Sequence, residues 1–240
     1  MGSVIIKDDT TKYPITMIGK YAGECWGADT SDQKKNYKRG LDCIQSVHGR
    51  TWEFPDVYMI LDGYSARAIR EWYTHIGGAP TRLQASTRYI DYEHGFDYVI
   101  PPKVQKNPEA LLLYVEDMER RMETLRKLDD LGIPREDSAN LLPLGMNTKI
   151  ACKHNARNLS DMSRQRDCFR AYWEYRIIMK DLENALKEYS DEWKTFVELC
   201  FMPKCEAYGF CTEKFSCGKM PKKEEVFELI KTLKDKKHMF

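Results

Sequence analysis

Apolar residues recur along this chain on two different periods, and the periods mark out its elements. Asp56-Val57-Tyr58-Met59-Ile60-Leu61-Asp62-Gly63 is a run of β-formers that stops at a glycine, and it predicts a buried strand. Leu111, Val115, Met118, Met122 and Leu125 return at spacings of four and three, which puts them on one helix face extending toward Gly132. Asn107-Pro108-Glu109 starts that helix with a capping side chain, a proline in the first turn and an acid at the positive end. Ser65 caps a helix through Ala66, Ile69 and Trp72, and Gly77-Gly78-Ala79-Pro80 is the sequence expected to break it. Ser31 or Asp32 opens a helix to Val47, and Thr16-Met17-Ile18-Gly19 predicts a short strand. Residues 89–100 are aromatic and read as partly extended, Ile133-Pro134-Arg135-Glu136 opens a short helix, and 222–236 form a charged one.

From about 158 to 189 the pattern predicts one long helix. Leu159, Met162, Phe169 and Trp173 mark its buried stripe, and Arg166 occupies a position on the same spacing. An arginine there either snorkels at the core's edge or points into a pocket. With no internal repeat or low-complexity linker, a single domain over 1–240 is expected, in a mixed architecture with a small sheet under a helical layer. A cysteine-containing C-terminal extension occupies about 200–240.

Charge changes this picture little. The chain of 240 residues has 38 basic and 37 acidic side chains, so its net charge of +1 offers no general attraction to nucleic acid or anionic lipid. Apolar runs such as Leu111-Leu112-Leu113 are far too short to span a bilayer. Met1-Gly2-Ser3 lacks the serine or threonine at position 6 that myristoylation needs, and no signal-peptide pattern follows. A soluble, cytoplasmic protein is expected. Of its eight cysteines, Cys25, Cys43, Cys152 and Cys168 are scattered, whereas Cys200, Cys205, Cys211 and Cys217 cluster with Pro203, Gly209 and Gly218. The cluster's spacings exceed those of ordinary zinc pairs and no histidine lies among them, so buried free thiols are favoured over a metal knot or redox pair and no metal is assigned.

The candidate chemistry is polar and local. Leu83-Gln84-Ala85-Ser86-Thr87-Arg88-Tyr89, with Asn155-Ala156-Arg157 and Arg166, sets a hydroxyl, an amide and three arginines on ordered elements. Arginines without a nearby carboxylate partner point to an anionic ligand, phosphate or a pyrimidine carbonyl. These residues resemble the flavin-dependent thymidylate synthases, and the likeness extends in order from about 15 to 180. His48-Gly49-Arg50-Thr51-Trp52-Glu53 resembles the family's histidine followed five residues later by glutamate, and Gly63-Tyr64-Ser65-Ala66-Arg67-Ala68 its strand-to-helix serine-arginine turn. Gln84-Ala85-Ser86-Thr87-Arg88-Tyr89 resembles the end of its signature motif, and Gly132-Ile133-Pro134-Arg135-Glu136 with Leu142-Pro143 the helix that follows. Asn155-Ala156-Arg157-Asn158-Leu159, Arg166 and Ala171-Tyr172-Trp173-Glu174-Tyr175-Arg176 resemble its long C-terminal helix.

The resemblance implies an α+β fold with a small, mostly antiparallel sheet, a helical layer and long C-terminal helices. It implies a homotetramer that binds FAD, takes electrons from NADPH, and methylates dUMP to dTMP with methylenetetrahydrofolate. Ser86 and Arg166 would be catalytic; Gln84, Ser86, Arg88 and Arg166 would bind dUMP, with Arg88 on its phosphate and Arg166 on the uracil carbonyl side. His48, Arg50, Glu53, Asn155 and Arg157 would line the flavin site.

This sequence departs from the pattern where the signature begins. The family's Arg-His-Arg positions are Ile76, Gly77 and Gly78, an expected arginine is Ala139, and an expected asparagine is Asp161. A compensation is an anion-binding nest of backbone N–H groups at Gly77-Gly78-Ala79-Pro80, with charge from Arg82 or Arg50; the alternative is that the glycines merely end a helix. Two further readings stay open. One is a same-scaffold enzyme methylating or hydroxymethylating another pyrimidine nucleotide, and the other is a non-catalytic nucleotide-binding paralogue.

Overall fold

In the computed structural model, which describes residues 2–92 and 94–237 and side chains as far as 233, elements follow the chain in this order. They are β1 (Ser3–Ile6), α1 (Pro14–Cys25), α2 (Gln33–Gln45), a 3₁₀ turn (Gly49–Glu53), β2 (Asp56–Ser65), α3 (Ala66–Trp72) and β3 (Thr81–Gln84). Then come α4 (Pro102–Gln105), α5 (Pro108–Asp130), α6 (Arg135–Ser138), a second 3₁₀ turn (Ala139–Leu141) and β4 (Asn147–Asn155). The helices α7 (Ala156–Arg166), α8 (Trp173–Tyr189), α9 (Asp191–Cys200), α10 (Lys204–Tyr208) and α11 (Lys223–Lys237) complete the chain. The fold is α+β, and it divides into two compact units, one made by residues up to Asp8 with Tyr58–Lys153, the other by Asp9–Val57 with the chain from His154 onward.

The first unit is built on a sheet of order β1-β2-β4-β3. β1 and β2 pair antiparallel, Ser3 facing Asp62 and Ile6 facing Met59, as do β3 and β4, Thr81 facing Lys153 and Gln84 facing Ile150. Met59 and Leu61 of β2 are buried in alternation with half-buried neighbours, as the β-rich run predicts. Gly63 takes φ +76° where Gly2 passes close by, a conformation and an approach that a side chain would spoil. The Ser65 hydroxyl accepts from the Ala68 N–H at 3.1 Å, so the expected cap is present. That helix ends at Trp72, before the glycines, and Tyr73 to His75 unwind in turns. Asn107 caps α5 through Ala110, and Met118 and Leu125 are buried while Leu111, Val115 and Met122 are half-buried. Residues 89–100 are less extended than expected: Tyr89 lies in a turn, and Tyr98 forms an isolated bridge to Met146.

In the second unit α1 and α2 cross with almost no separation. A Cβ on Gly19 would lie 1.8 Å from the Asn36 carbonyl oxygen, and one on Gly40 2.0 Å from that of Ile15. The strand expected over 16–19 is instead part of α1. Pro14 occupies the first turn, and Ile15, Ile18, Gly19 and Ala22 form its buried face at helical spacing. Asp32 caps α2 through the N–H groups of Lys34 and Lys35. The core gathers Tyr175, Ile178, Leu182, Trp193 and Phe196, and the Trp193 indole N–H donates to the Thr11 carbonyl at 2.7 Å.

The single helix expected over 158–189 is two, α7 and α8, joined by a turn over 167–172. Leu159 and Met162 are buried as expected, but Phe169 falls in the turn and is 61% exposed. Its ring is covered by the Arg176 guanidinium, 4.8 Å from the ring centre. No helix among the described residues is long and apolar enough to cross a membrane.

Candidate active site

In the first unit the candidate residues lie on the loop leaving β3. The Gln84 amide donates to the Thr148 hydroxyl at 3.3 Å, which ties the strand's end to β4. Ser86 is half-buried, and its hydroxyl accepts from the Arg88 N–H at 3.3 Å while its carbonyl receives the Tyr89 and Ile90 N–H groups. This compact turn presents the serine and holds the arginine beside it. The Arg88 guanidinium forks onto Glu136, with Nε at 3.1 Å and Nη2 at 3.0 Å from one carboxylate oxygen. Arg135 is paired likewise with Asp91.

The loop in place of the missing Arg-His-Arg triplet begins after α3 has already ended at Trp72, so its glycines do not end that helix. Left-handed backbone occurs at Gly78 (φ +71°) and Ala79 (φ +50°), and the Ala79 N–H is taken by the Ile76 carbonyl at 3.2 Å. Arg82 donates through Nη1 to the carbonyls of Tyr73 at 2.8 Å and His75 at 3.3 Å, and stacks on the Tyr73 ring. Its charge closes the unwound end of α3, so here it anchors the loop.

The second unit brings His48, Arg50 and Glu53, all at the Gly49–Glu53 turn, to the start of α7. Arg157 pairs with Glu53 at 2.6 Å, and its side chain passes beside Gly49, where a Cβ would lie in ordinary contact at 3.5 Å from Nε. Asn155 caps α7 by accepting from the Asn158 N–H at 2.8 Å, which fixes the direction in which Arg157 leaves the helix. His48 and Arg50 are exposed. Both Arg88 and Arg157 therefore have carboxylate partners, contrary to the expectation of unpaired arginines. The pairs are open to solvent and worth at most about 1 kcal/mol each, so an incoming phosphate can displace the carboxylate.

Arg166 is the last residue of α7, half-buried, with its guanidinium 4.6 Å from the centre of the Tyr175 ring. Tyr175 is completely buried, so this platform is rigid. It was not singled out as a site residue from the sequence. Its signal was its presence in the aromatic run Tyr172-Trp173-Glu174-Tyr175, which reads equally well as core.

Next to Arg166, Asp167 accepts a hydrogen bond from the Ser163 hydroxyl. Burial pushes its carboxyl up to about 7; the Ser163 bond opposes this, and Glu183 across the turn adds to it. The folded state thus keeps a proton that an unfolded aspartate gives up near about pH 4. The Asp167 contribution to stability is full below that value and falls as pH rises toward 7, because the folded state binds more protons throughout that window. Asp167→Asn is expected to remove this slope, measured as the change in urea midpoint from pH 4 to pH 8. An unchanged slope in the variant would remove Asp167 as its origin.

The four C-terminal cysteines are free thiols, but only Cys200 and Cys211 are buried; Cys205 is half-buried and Cys217 exposed. Among the described residues no three His, Cys, Asp or Glu side chains gather as a metal site.

The family model described as "Thymidylate synthase complementing protein" matches residues 9–190. The chain belongs to this family, the flavin-dependent thymidylate synthases. It is 26% identical over 219 residues to the flavin-dependent thymidylate synthase of Nitratidesulfovibrio vulgaris, covering 86% of each chain. It is 34% identical over 137 residues to that of Thermococcus kodakarensis, covering 54% of each. A UMP/dUMP methylase from Streptomyces cacaoi, solved with 5-Br dUMP, superposes with a TM-score of 0.67 at 18% identity, covering 84% of this chain and 96% of that one. The Helicobacter pylori flavin dependent thymidylate synthase complexed with FAD and dUMP gives 0.62 at 19% identity, covering 80% and 98%. The family's small sheet, helical layer and C-terminal helices are thus the fold of this chain.

Proposed function

We propose that this chain is a cytoplasmic, homotetrameric flavin-dependent thymidylate synthase. It would convert dUMP to dTMP with methylenetetrahydrofolate as carbon donor and NADPH as electron source for FAD. The observation that carries the reading is Arg166, presented half-buried on the Tyr175 ring at the end of α7, where the family's helix motif has its arginine. When bound, FAD supplies the hydride chemistry, while the protein positions it. The donors suit an anionic, hydrogen-bonding cofactor: the solvent-open Arg157 guanidinium with exposed His48 and Arg50, while Glu53 orients Arg157 and Asn155 holds the frame.

On this reading Arg88 exchanges Glu136 for the nucleotide phosphate, and Gln84 and Ser86 meet the nucleotide. Arg166 faces the uracil carbonyl side and stabilises the negative charge that builds on the ring as C5 becomes nucleophilic. The loop through Gly77 and Gly78, held by Arg82, would offer backbone N–H groups to the flavin's phosphates where the family has its cationic triplet. Protein incubated with FAD, NADPH, methylenetetrahydrofolate and dUMP is expected to show flavin absorbance and to yield dTMP by mass. A colourless protein with no FAD-induced rise in melting temperature ends the reading.

One observation favours a second reading, in which UMP is also a substrate. Ala139 stands where the family has an arginine, and it lines a small recess with Thr87, Asp91 and Arg135. The Streptomyces protein of the same fold is a UMP/dUMP methylase. Running UMP beside dUMP in the same assay decides this: methylated UMP supports it, and dTMP alone rejects it.

A further inference from the structure

The segment after Cys200 lies beyond residues 9–190, the part matched by the family model, yet it is folded onto the helix that ends in Arg166. α10 packs against α7. Arg170, in the turn joining α7 to α8, donates Nη1 to the Phe215 carbonyl at 2.7 Å, lies over that residue's ring and faces Glu213 at 3.9 Å. The segment is closed on itself by the Cys211 N–H, which donates to the Pro221 carbonyl at 2.7 Å, and by contact of the Phe210 and Phe227 rings.

Two half-buried thiols lie on the segments that meet here. Cys168 is the second residue after Arg166, in the turn, and Cys205 is the second residue of α10. The Ser160 hydroxyl donates to the Cys200 carbonyl at 3.0 Å and Arg170 holds Phe215, so the stretch 200–215 runs beside 160–170 and brings Cys205 of α10 alongside the turn that carries Cys168. Cys211 is buried, and Cys25 and Cys217 are exposed. Burial raises Cys200 to about 12, which keeps it an unreactive thiol.

We propose that Cys168 and Cys205 form a reversible disulfide that fastens the C-terminal segment to the turn behind Arg166. The oxidant is a low-molecular-weight disulfide such as glutathione disulfide. The Cys168 thiolate attacks one sulfur, giving a mixed disulfide and one glutathione thiolate. Cys205 then loses its proton and attacks the Cys168 sulfur, expelling the second glutathione. Two protein thiols are oxidised and one glutathione disulfide is reduced to two glutathiones, so the exchange balances. The bond closes a loop through α8 and α9, and so restrains the unfolded chain. Formation of the bond is independent of the enzymatic reading. Its effect on turnover rests on the role given to Arg166.

The test uses the full chain treated with glutathione disulfide, digested without reductant and mapped by mass. A peptide joining Cys168 to Cys205 that dithiothreitol removes is expected. The melting temperature should rise by roughly 5–10 °C in the linked form, and not in Cys205→Ser. Glutathione adducts without that link, or Cys205 joined to Cys211 instead, overturn the proposal. Turnover is followed in parallel: a change reversed by dithiothreitol and absent in Cys205→Ser supports the tie to Arg166. A linked protein with unchanged turnover keeps the bond and overturns that tie.

Discussion

Arg166→Ala is expected to lower kcat by about 10²–10³-fold, the usual loss when a donor aimed at developing charge is removed. Bound flavin and melting temperature should change little, because the guanidinium lies at a helix end and only half-buried. Arg166→Lys should recover little of the loss. A lysine has the charge but not the planar group that stacks on Tyr175 and presents a fork. Turnover of dUMP close to that of the parent protein would show that this arginine has no part in the reaction. A loss confined to KM would move it from charge stabilisation to ground-state binding.

The largest effect on folding is expected from Gly19→Ala. The added methyl would lie 1.8 Å from the Asn36 carbonyl oxygen and 2.5 Å from the Gly40 nitrogen, and both are backbone atoms that no rotamer change can move. α1 and α2 must separate, which also opens the packing of Ile15 and Ile18. A cost of about 3 kcal/mol or more follows, although alanine is the better helix former. Urea denaturation reads this as a lower midpoint. A midpoint equal to or above that of the parent protein would mean that the two helices do not cross as closely as described.

The elements that were legible in the sequence carry their signals locally. Asp32, Ser65 and Asn107 cap the helices they precede, and the run from Asp56 forms a buried strand. Where the reading failed, the deciding partner lay elsewhere. Thr16 to Gly19 has β-branched character, but Pro14 and the helical spacing of Ile15, Ile18 and Ala22 outweigh it once α2 offers a surface. The break after Arg166 has no glycine or proline to announce it. Ser163 and Asp167 are four apart, a spacing that reads as continuing helix, yet their hydrogen bond forms where the helix stops.

The site shows the same division. Gln84, Ser86, Arg88, Asn155, Arg157 and Arg166 are candidates through their resemblance to family motifs. Their partners do not emerge in this way, since Glu136 is 48 residues from Arg88 and Glu53 is 104 from Arg157. The structural duty of Arg82 was likewise hidden, because it depends on two carbonyls freed by the early end of α3.

If Arg88 takes the nucleotide phosphate as proposed, its fork on Glu136 makes nucleotide capture a trade of anions rather than a simple attraction. A tethered carboxylate already satisfies the guanidinium, so a newcomer gains only the difference between its own hold and that of glutamate. A doubly charged phosphate with several acceptor oxygens wins that exchange, whereas a nucleoside brings nothing to trade. Discrimination between nucleotide and nucleoside would then begin before the base is seated.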